Sequence, residues 1–329
     1  MMHTFINSPL QIGSLKLPHR LIQGPLAGYS CAPFRDLFNI YTPPAYCVSE
    51  MCSAIDILHK HSSQSRYIYR APTEKLLAYQ ISGNEPHVLA EAAAKLQSLG
   101  ADLIDINCGC PKSKIRKKGA GSALLEDPQK LIAIISRVRA AISIPLTIKI
   151  RIQNNEKDLT LAKQIEDARA HALIVHGRRW TEDYDIPCNW QQIANIKNAV
   201  NIPVIVNGDI SNISSLRKAL EISMCDGFMI SRAGTGKPWL YRDLLNLETN
   251  DVAFDEKLKL FMLHLEGLSY LENEHKAVLQ SKSLVRYYFK KQLNEQQLQL
   301  FYQLGTLMEI KDFLAEATHR VSNILVATS

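Results

Sequence analysis

Cys108 and Cys110 stand one glycine apart in the stretch INCGCPKSKIRKKGAGSALL, residues 106–125. Five of the eight residues after Cys110 are basic: Lys112, Lys114, Arg116, Lys117 and Lys118. Three chemistries could use such a stretch. A cysteine pair is half of a zinc site, but no second Cys or Cys/His pair has suitable spacing, so no metal is expected. A cationic, glycine-ended segment suits phosphate, and a thiol beside it suits proton transfer on a phosphate-rich substrate. Cys108 closes an apolar run and is expected to pack in a core, as buried cysteines do. Cys110 follows Gly109 and precedes Pro111, so it belongs to the loop above. A second phosphate signal, GTGKPW at 234–239, fails as a P-loop. That pattern needs four residues between its glycines and Ser or Thr after the lysine, where Pro238 stands.

These residues need a frame. Eight apolar runs recur along the chain: Leu21–Gly28, Ala45–Met51, Leu76–Gly83, Leu103–Gly109, Leu146–Arg151, Ala172–Gly177, Val204–Asp209 and Gly227–Ala233. Runs apolar on both faces mark strands buried in a parallel sheet. Helical patterns separate most of them, as in HVLAEAAAKLQSLGA after Pro86, and DPQKLIAIISRVRAAI, which opens on an Asp127 cap and Pro128. Eight strand–helix units predict a TIM barrel; a doubly wound sheet is the alternative, but no GxGxxG follows the first strand. The segment IGSLKLPHRL reads as a hairpin closing the bottom. Beyond residue 250 the pattern is helical throughout. The division expected is a barrel domain, 1–249, and an all-α domain, 250–329, with helix junctions near Asn273–Glu274 and Gly305.

A TIM barrel carries its active site at the C-terminal strand ends. Here those ends read Pro25-Leu26-Ala27-Gly28, Ser49-Glu50, Gln80, Asn107, Lys149 with Arg151, His176, Asn207-Gly208-Asp209 and Ser231-Arg232. One polar strand end is ordinary; one on nearly every strand is not. The turns after the last two strands form the usual barrel phosphate site. Lys149, flanked by isoleucines, can set a positive charge beside a cofactor that gains negative charge on reduction. Gln80 and Asn107 offer amides to the edge of a flat heterocycle. Flavin mononucleotide fits this collection.

Composition sets bounds. The chain has 329 residues, 46% of them hydrophobic and 21% charged, which suits a globular protein with one large domain and a small one. Neither a secretory n-region nor a membrane-length apolar run is present, and seven cysteines without a CxxC pair suit a reducing compartment, so a cytoplasmic protein is expected. Net charge is +6, yet residues 251–329 hold nine Lys/Arg against ten Asp/Glu, so the first 250 carry +7. A polyanion site must be local.

Over nearly its whole length the chain resembles the bacterial tRNA-dihydrouridine synthases. The matching stretches are GPLAG, AYQISG, DINCGCPKSKIRKKGAGSALL, TIKIR, VHGR, PVIVNGDI and SRAGTGKPW followed by a helical segment. The resemblance implies an FMN enzyme that uses NADPH to reduce a uridine of tRNA and acts as a monomer. It implies flavin contacts at Pro25, Leu26, Ala27, Gln80, Lys149, His176, Asn207, Gly208, Asp209, Ser231 and Arg232, with Cys110 as general acid. Leu26 stands where the family commonly has Met, and Ser231 where it commonly has Gly. Asn107, Arg151, Arg178 and the Lys112–Lys118 stretch are expected to meet the substrate, the lysines pointing outward to phosphate. In KSLVRYYFKK, Lys282, Arg286 and Lys290 fall at i, i+4 and i+8, which predicts a cationic stripe for tRNA backbone, remote from the rim, with Tyr287 beside it. A small-molecule flavoenzyme of the dihydroorotate-dehydrogenase type shares the fold and a pyrimidine substrate, but does not call for the basic stretch or the helical addition. A non-enzymatic RNA-binding protein would not need the rim.

Overall fold

The computed structural model describes residues 1–153, 155–290 and 292–327, with backbone alone for 318–327. Eleven strands are present among them: β1 (Leu10–Ile12), β2 (Leu15–Leu17), β3 (Leu21–Gln23), β4 (Cys47–Val48), β5 (Cys52–Ser53), β6 (Leu77–Ser82), β7 (Leu103–Cys108), β8 (Leu146–Arg151), β9 (Ala172–His176), β10 (Val204–Asn207) and β11 (Gly227–Ile230). Strands β3, β4 and β6–β11 pair in parallel and close into an eight-stranded barrel, because β4 pairs with both β3 and β6. The Ala45–Met51 run is shorter as a strand than its apolar length implies. It pairs at Cys47–Val48, breaks, and resumes against β6 as β5. Buried on both faces, strands β6 and β9–β11 leave no residue exposed.

The helices start where the chain supplies caps. Asp127 accepts the Lys130 amide at the head of Pro128–Ala141, Asn189 accepts that of Gln192, and Asn212 forms a capping box with Ser215. Antiparallel β1 and β2 form the expected hairpin. Their Leu10, Ile12 and Leu17 pack on Ile22, Ala78, Ile174 and Ile205 in a separate apolar cluster at the bottom of the barrel. Each such side chain fully buried contributes roughly 1.5–3 kcal/mol. The bottom is closed by packing, which leaves chemistry to the top.

After the coil 248–253 come four helices: Phe254–Leu271, Glu274–Tyr288, Glu295–Phe301 and Leu307–Ala327. The junctions fall at Asn273, which caps the second helix, and around Gly305. The aromatic rings of Phe261, Tyr288, Phe289 and Phe301 build the centre of their core. That core also takes in Cys31, Leu37 and Trp239 from the barrel side, so the helical region is seated on the barrel by apolar packing. Gly236, at φ +69, faces the Tyr287 carbonyl carbon at 2.6 Å from where a Cβ would stand. Only glycine permits that approach.

Candidate active site

A cavity of about 880 Å³ opens at the C-terminal rim of the barrel, lined by all eleven residues expected to meet flavin and by Asn107, Cys110, Lys112 and Arg151. Parallel register explains the convergence. Gln80 lies opposite Asp105, Asn107 opposite Lys149, Arg151 opposite His176, and His176 opposite Asn207. Neighbouring strands thus deliver polar side chains at nearly one depth.

Within this wall the charges are set by burial. Lys149 donates to Asn207 Oδ1 at 2.9 Å. Burial lowers its pKa to about 8, with Arg151 adding to the effect and Asp105 opposing it, so it is largely cationic at neutral pH. His176 is pushed down to about 2 by burial and by the cations Lys149, Arg151, Arg178 and Arg232, so its imidazole is neutral. Asp105, fully buried, is raised to about 6 by desolvation, although hydrogen bonds from Gln80 and Thr147 and the charge of Lys149 work the other way. The sequence reading missed Asp105. Its signal was a carboxylate in the middle of an apolar strand.

Cys108 is fully buried, and desolvation pushes its thiol up. Cys110 is half-buried on the cavity wall. Its N–H donates to Asn107 Oδ1 at 2.9 Å, and its carbonyl accepts from the Ser122 amide and hydroxyl. Gly121, at φ +63, lets this turn close, since a Cβ there would stand 2.8 Å from the Cys110 carbonyl. The basic stretch is more ordered than a loop: Ser113–Arg116 form one helical turn and Gly121–Glu126 a 3₁₀ turn. Lys112, Lys114, Lys117 and Lys118 are exposed. Arg116 departs from the expectation. It donates to Ser122 Oγ at 3.0 Å, pairs with Glu126 at 2.7 Å and stacks 3.5 Å over Trp180. It braces the cysteine turn and does not project with the lysines.

At the other end of the cavity Asp209 holds a left-handed backbone, φ +59. Its carboxylate accepts from Arg178 at 2.7 and 2.8 Å and from the Cys188 amide at 2.8 Å, and these partners lower its pKa against the effect of burial. Arg178 was expected at the substrate. It is 2% exposed, also donates to the Ile186 and Tyr184 carbonyls, and lies behind Asp209 off the cavity wall. The Arg232 guanidinium stacks 3.7 Å from the Tyr184 ring centre and makes no side-chain hydrogen bond among the described residues, which leaves its N–H donors for an anion. The Ser231 hydroxyl lies over Gly24 and 3.4 Å from Asn207 Nδ2, in space that the absent Gly24 side chain leaves.

The helical region reaches the mouth. Tyr287 lines the cavity and meets Tyr29 edge to face, ring centres 6.0 Å apart. The expected three-residue stripe is broken. Its helix ends at Tyr288, so Lys290 lies past the last turn, and Arg286 is engaged by Tyr302 at 2.7 Å and Glu295 at 3.5 Å. Tyr287 beside the stripe reaches the cavity, whereas Lys282, Arg286 and Lys290 do not line it. No signal led to Arg66, which pairs with Glu50 at 2.6 Å and Glu272 at 2.7 Å and donates to Gln280 and to the Gly28 carbonyl. Glu50 in turn accepts the Gly28 amide at 2.6 Å. This buried node ties two rim loops to the helical region. Among the described residues no cluster of metal ligands and no helix fit to cross a membrane is present.

Fold and cavity define a TIM barrel that gathers polar side chains at its C-terminal rim. Solved structures agree on the fold: a 2-naphthoyl-CoA reductase complex (TM-score 0.58, 13% identity, 75% of this chain and 53% of that one) and an old yellow enzyme homologue from Zymomonas mobilis (TM-score 0.54, 13% identity, 77% and 95%). The dihydrouridine synthase family model matches residues 22–322, and the chain belongs to that family. A probable tRNA-dihydrouridine synthase 1 of Synechocystis sp. is 35% identical over 322 residues, 94% of this chain and 89% of the relative. A tRNA-dihydrouridine synthase B of Pseudomonas aeruginosa is 37% identical over 290 residues, 85% and 87%.

Proposed function

We propose that this protein reduces a uridine of tRNA to 5,6-dihydrouridine with FMN and NADPH, and that Cys110 is the acid. The observation carrying this reading is the position of the Cys110 thiol on the wall of the same cavity that gathers Lys149, His176, Gln80 and Asn207.

The residues present suit FMN. Arg232 has donors to spare for the phosphate, Lys149 is a buried cation at the wall, and Gln80 offers an amide edge. Pro25, Leu26 and Ala27 supply the apolar side, while Gly208, Asp209 and Ser231 line the anion end. When bound, reduced flavin supplies the hydride that adds at C6 of uracil, and NADPH is its reductant at the same open rim. Lys149 opposes the negative charge of the reduced ring. Neutral His176 adds a hydrogen-bonding group without another cation. As charge develops at C5 and O4, the Cys110 thiol gives its proton to C5, and the thiolate left behind is reprotonated from solvent. Asn107 and Arg151 bound the side of the cavity facing the base.

The base must leave its stack, at a cost of about a few kcal/mol. Exposed Lys112, Lys114, Lys117 and Lys118 hold the phosphates beside it, and Tyr29 with Tyr287 offers an aromatic face at the mouth. Lys282 and Lys290 extend the cationic surface without forming a helical stripe. Incubation of dihydrouridine-free tRNA with protein, FMN and NADPH, followed by nucleoside mass spectrometry, tests the reading. Dihydrouridine is expected. Its absence, with turnover of a free pyrimidine instead, would favour the small-molecule flavoenzyme.

A further inference from the structure

Five hydrogen bonds link the barrel interior to the lip, and every donation along the chain points inward to Asp105. Thr147 Oγ1 donates to Asp105 Oδ1 at 2.7 Å, and Gln80 Nε2 to Asp105 Oδ2 at 2.7 Å. Asn107 Nδ2 donates to Gln80 Oε1 at 2.8 Å. Asn107 Oδ1 then accepts the Gly109 and Cys110 amides at 3.1 and 2.9 Å.

A carboxamide has two chemically opposite ends on nearly the same shape, so something must choose which end faces where. We infer that Asp105 is a positioning residue: it fixes the orientation of Gln80 and, through it, of Asn107, so that an acceptor and not a donor faces the backbone of the acid loop. The inference rests on the role proposed for Cys110. An ionised carboxylate only accepts, so Gln80 must turn its NH₂ inward and its oxygen outward. Asn107 must then spend a donor on that oxygen, which turns its own oxygen to the two amides. With the order reversed, an NH₂ group would face two N–H donors, and both would lose their partner. Asp105 touches neither substrate nor reacting atoms. Its pKa near 6 keeps it ionised at neutral pH, so the direction holds under working conditions.

The test compares two substitutions of similar size. Asp105→Asn keeps an acceptor for Gln80, because the Thr147 hydroxyl can accept from the new amide. Asp105→Leu keeps the branched shape, with slightly bulkier ends, and removes every acceptor. Hydrogen exchange of cofactor-free protein, read by mass spectrometry on peptides covering Gly109–Cys110, should be at least tenfold faster in Asp105→Leu and near normal in Asp105→Asn. Peptides from β9 and β10 should not change. Steady-state uridine reduction should fall with exchange protection in kcat and not in KM. Equal protection in both variants, or equal loss in both, would overturn the inference. Loss of protection throughout the barrel in Asp105→Leu would move the decision to Gln80→Met, which severs the same chain next to the rim and must show the local loss for the inference to stand. Because exchange is read without flavin or tRNA, the positioning role can fail while the proposed function survives, and the reverse.

Discussion

On the barrel rim the polar groups sit on strand ends whose neighbours are fixed by parallel register, and several are held by a partner on the next strand or the one beyond it. Lys149 reaches Asn207, and Gln80 bridges Asp105 and Asn107. On the helical region the cations lie near a helix end. Arg286 is taken by Tyr302 and Glu295, while Lys290 lies past the last turn. The rim is therefore preorganised for one ligand geometry, whereas the helical surface supplies a field that tolerates displacement. Substitutions on the rim should change chemistry or cofactor retention. Those on the helical surface should change tRNA affinity in small, salt-dependent steps.

The seam between the regions is the harshest test. Arg66→Met leaves Glu50 without its cation at a largely buried site, while Glu272 keeps Lys276 at 2.8 Å, and losing one partner of such a buried pair costs about 3 kcal/mol. Denaturant melts should show it, with flavin titration unchanged if the rim is autonomous. Loss of flavin binding together with stability would mean that the two regions are one unit.

Next comes Lys149. Its folded pKa lies below the usual lysine value, so the charge is present at lower pH and disappears as pH rises through about 8. FMN affinity of the cofactor-free protein, followed by fluorescence, should fall roughly tenfold across that range, about 1.4 kcal/mol. Lys149→Arg keeps its charge and should flatten the profile. A wild-type profile flat from pH 6 to 9 would remove Lys149 from the flavin site.

The smallest effects belong to the helical surface. Replacing Lys282, Arg286 and Lys290 together with Glu should weaken tRNA binding and reduce its salt slope, with NADPH oxidation and flavin content normal. Singly, Arg286→Glu should matter less than Lys282→Glu, because Glu295 already offsets Arg286. The opposite ranking, in filter binding at two salt concentrations, would restore the stripe.

The same contrast explains what could be read in the amino-acid order. A strand end has few possible fates, so Gln80, Asn107, Lys149, His176 and Asn207 could be placed together from spacing alone. Asp105 reads as one more position of an apolar strand, since a buried carboxylate declares its role only through Gln80 and Thr147. Helix ends are weakly marked here. No Gly or Pro follows Tyr288, and Phe289 continues the apolar pattern while turning into the core at φ −116, ψ 26. Arg66 lies between β5 and β6 among polar residues, and its four partners come from 16 to 214 positions away, beyond any local pattern.

The central claim is that one cavity joins the flavin to a thiol that supplies a proton. Single-turnover reduction of tRNA by prereduced enzyme, comparing Cys110→Ala with Cys108→Ala, tests it most directly. Dihydrouridine formation should fall roughly 10²–10⁴-fold in Cys110→Ala with flavin content and NADPH oxidation intact, the range of a lost general acid. Cys108→Ala should stay near wild type. Full product formation by Cys110→Ala, or a larger loss in Cys108→Ala, would contradict it.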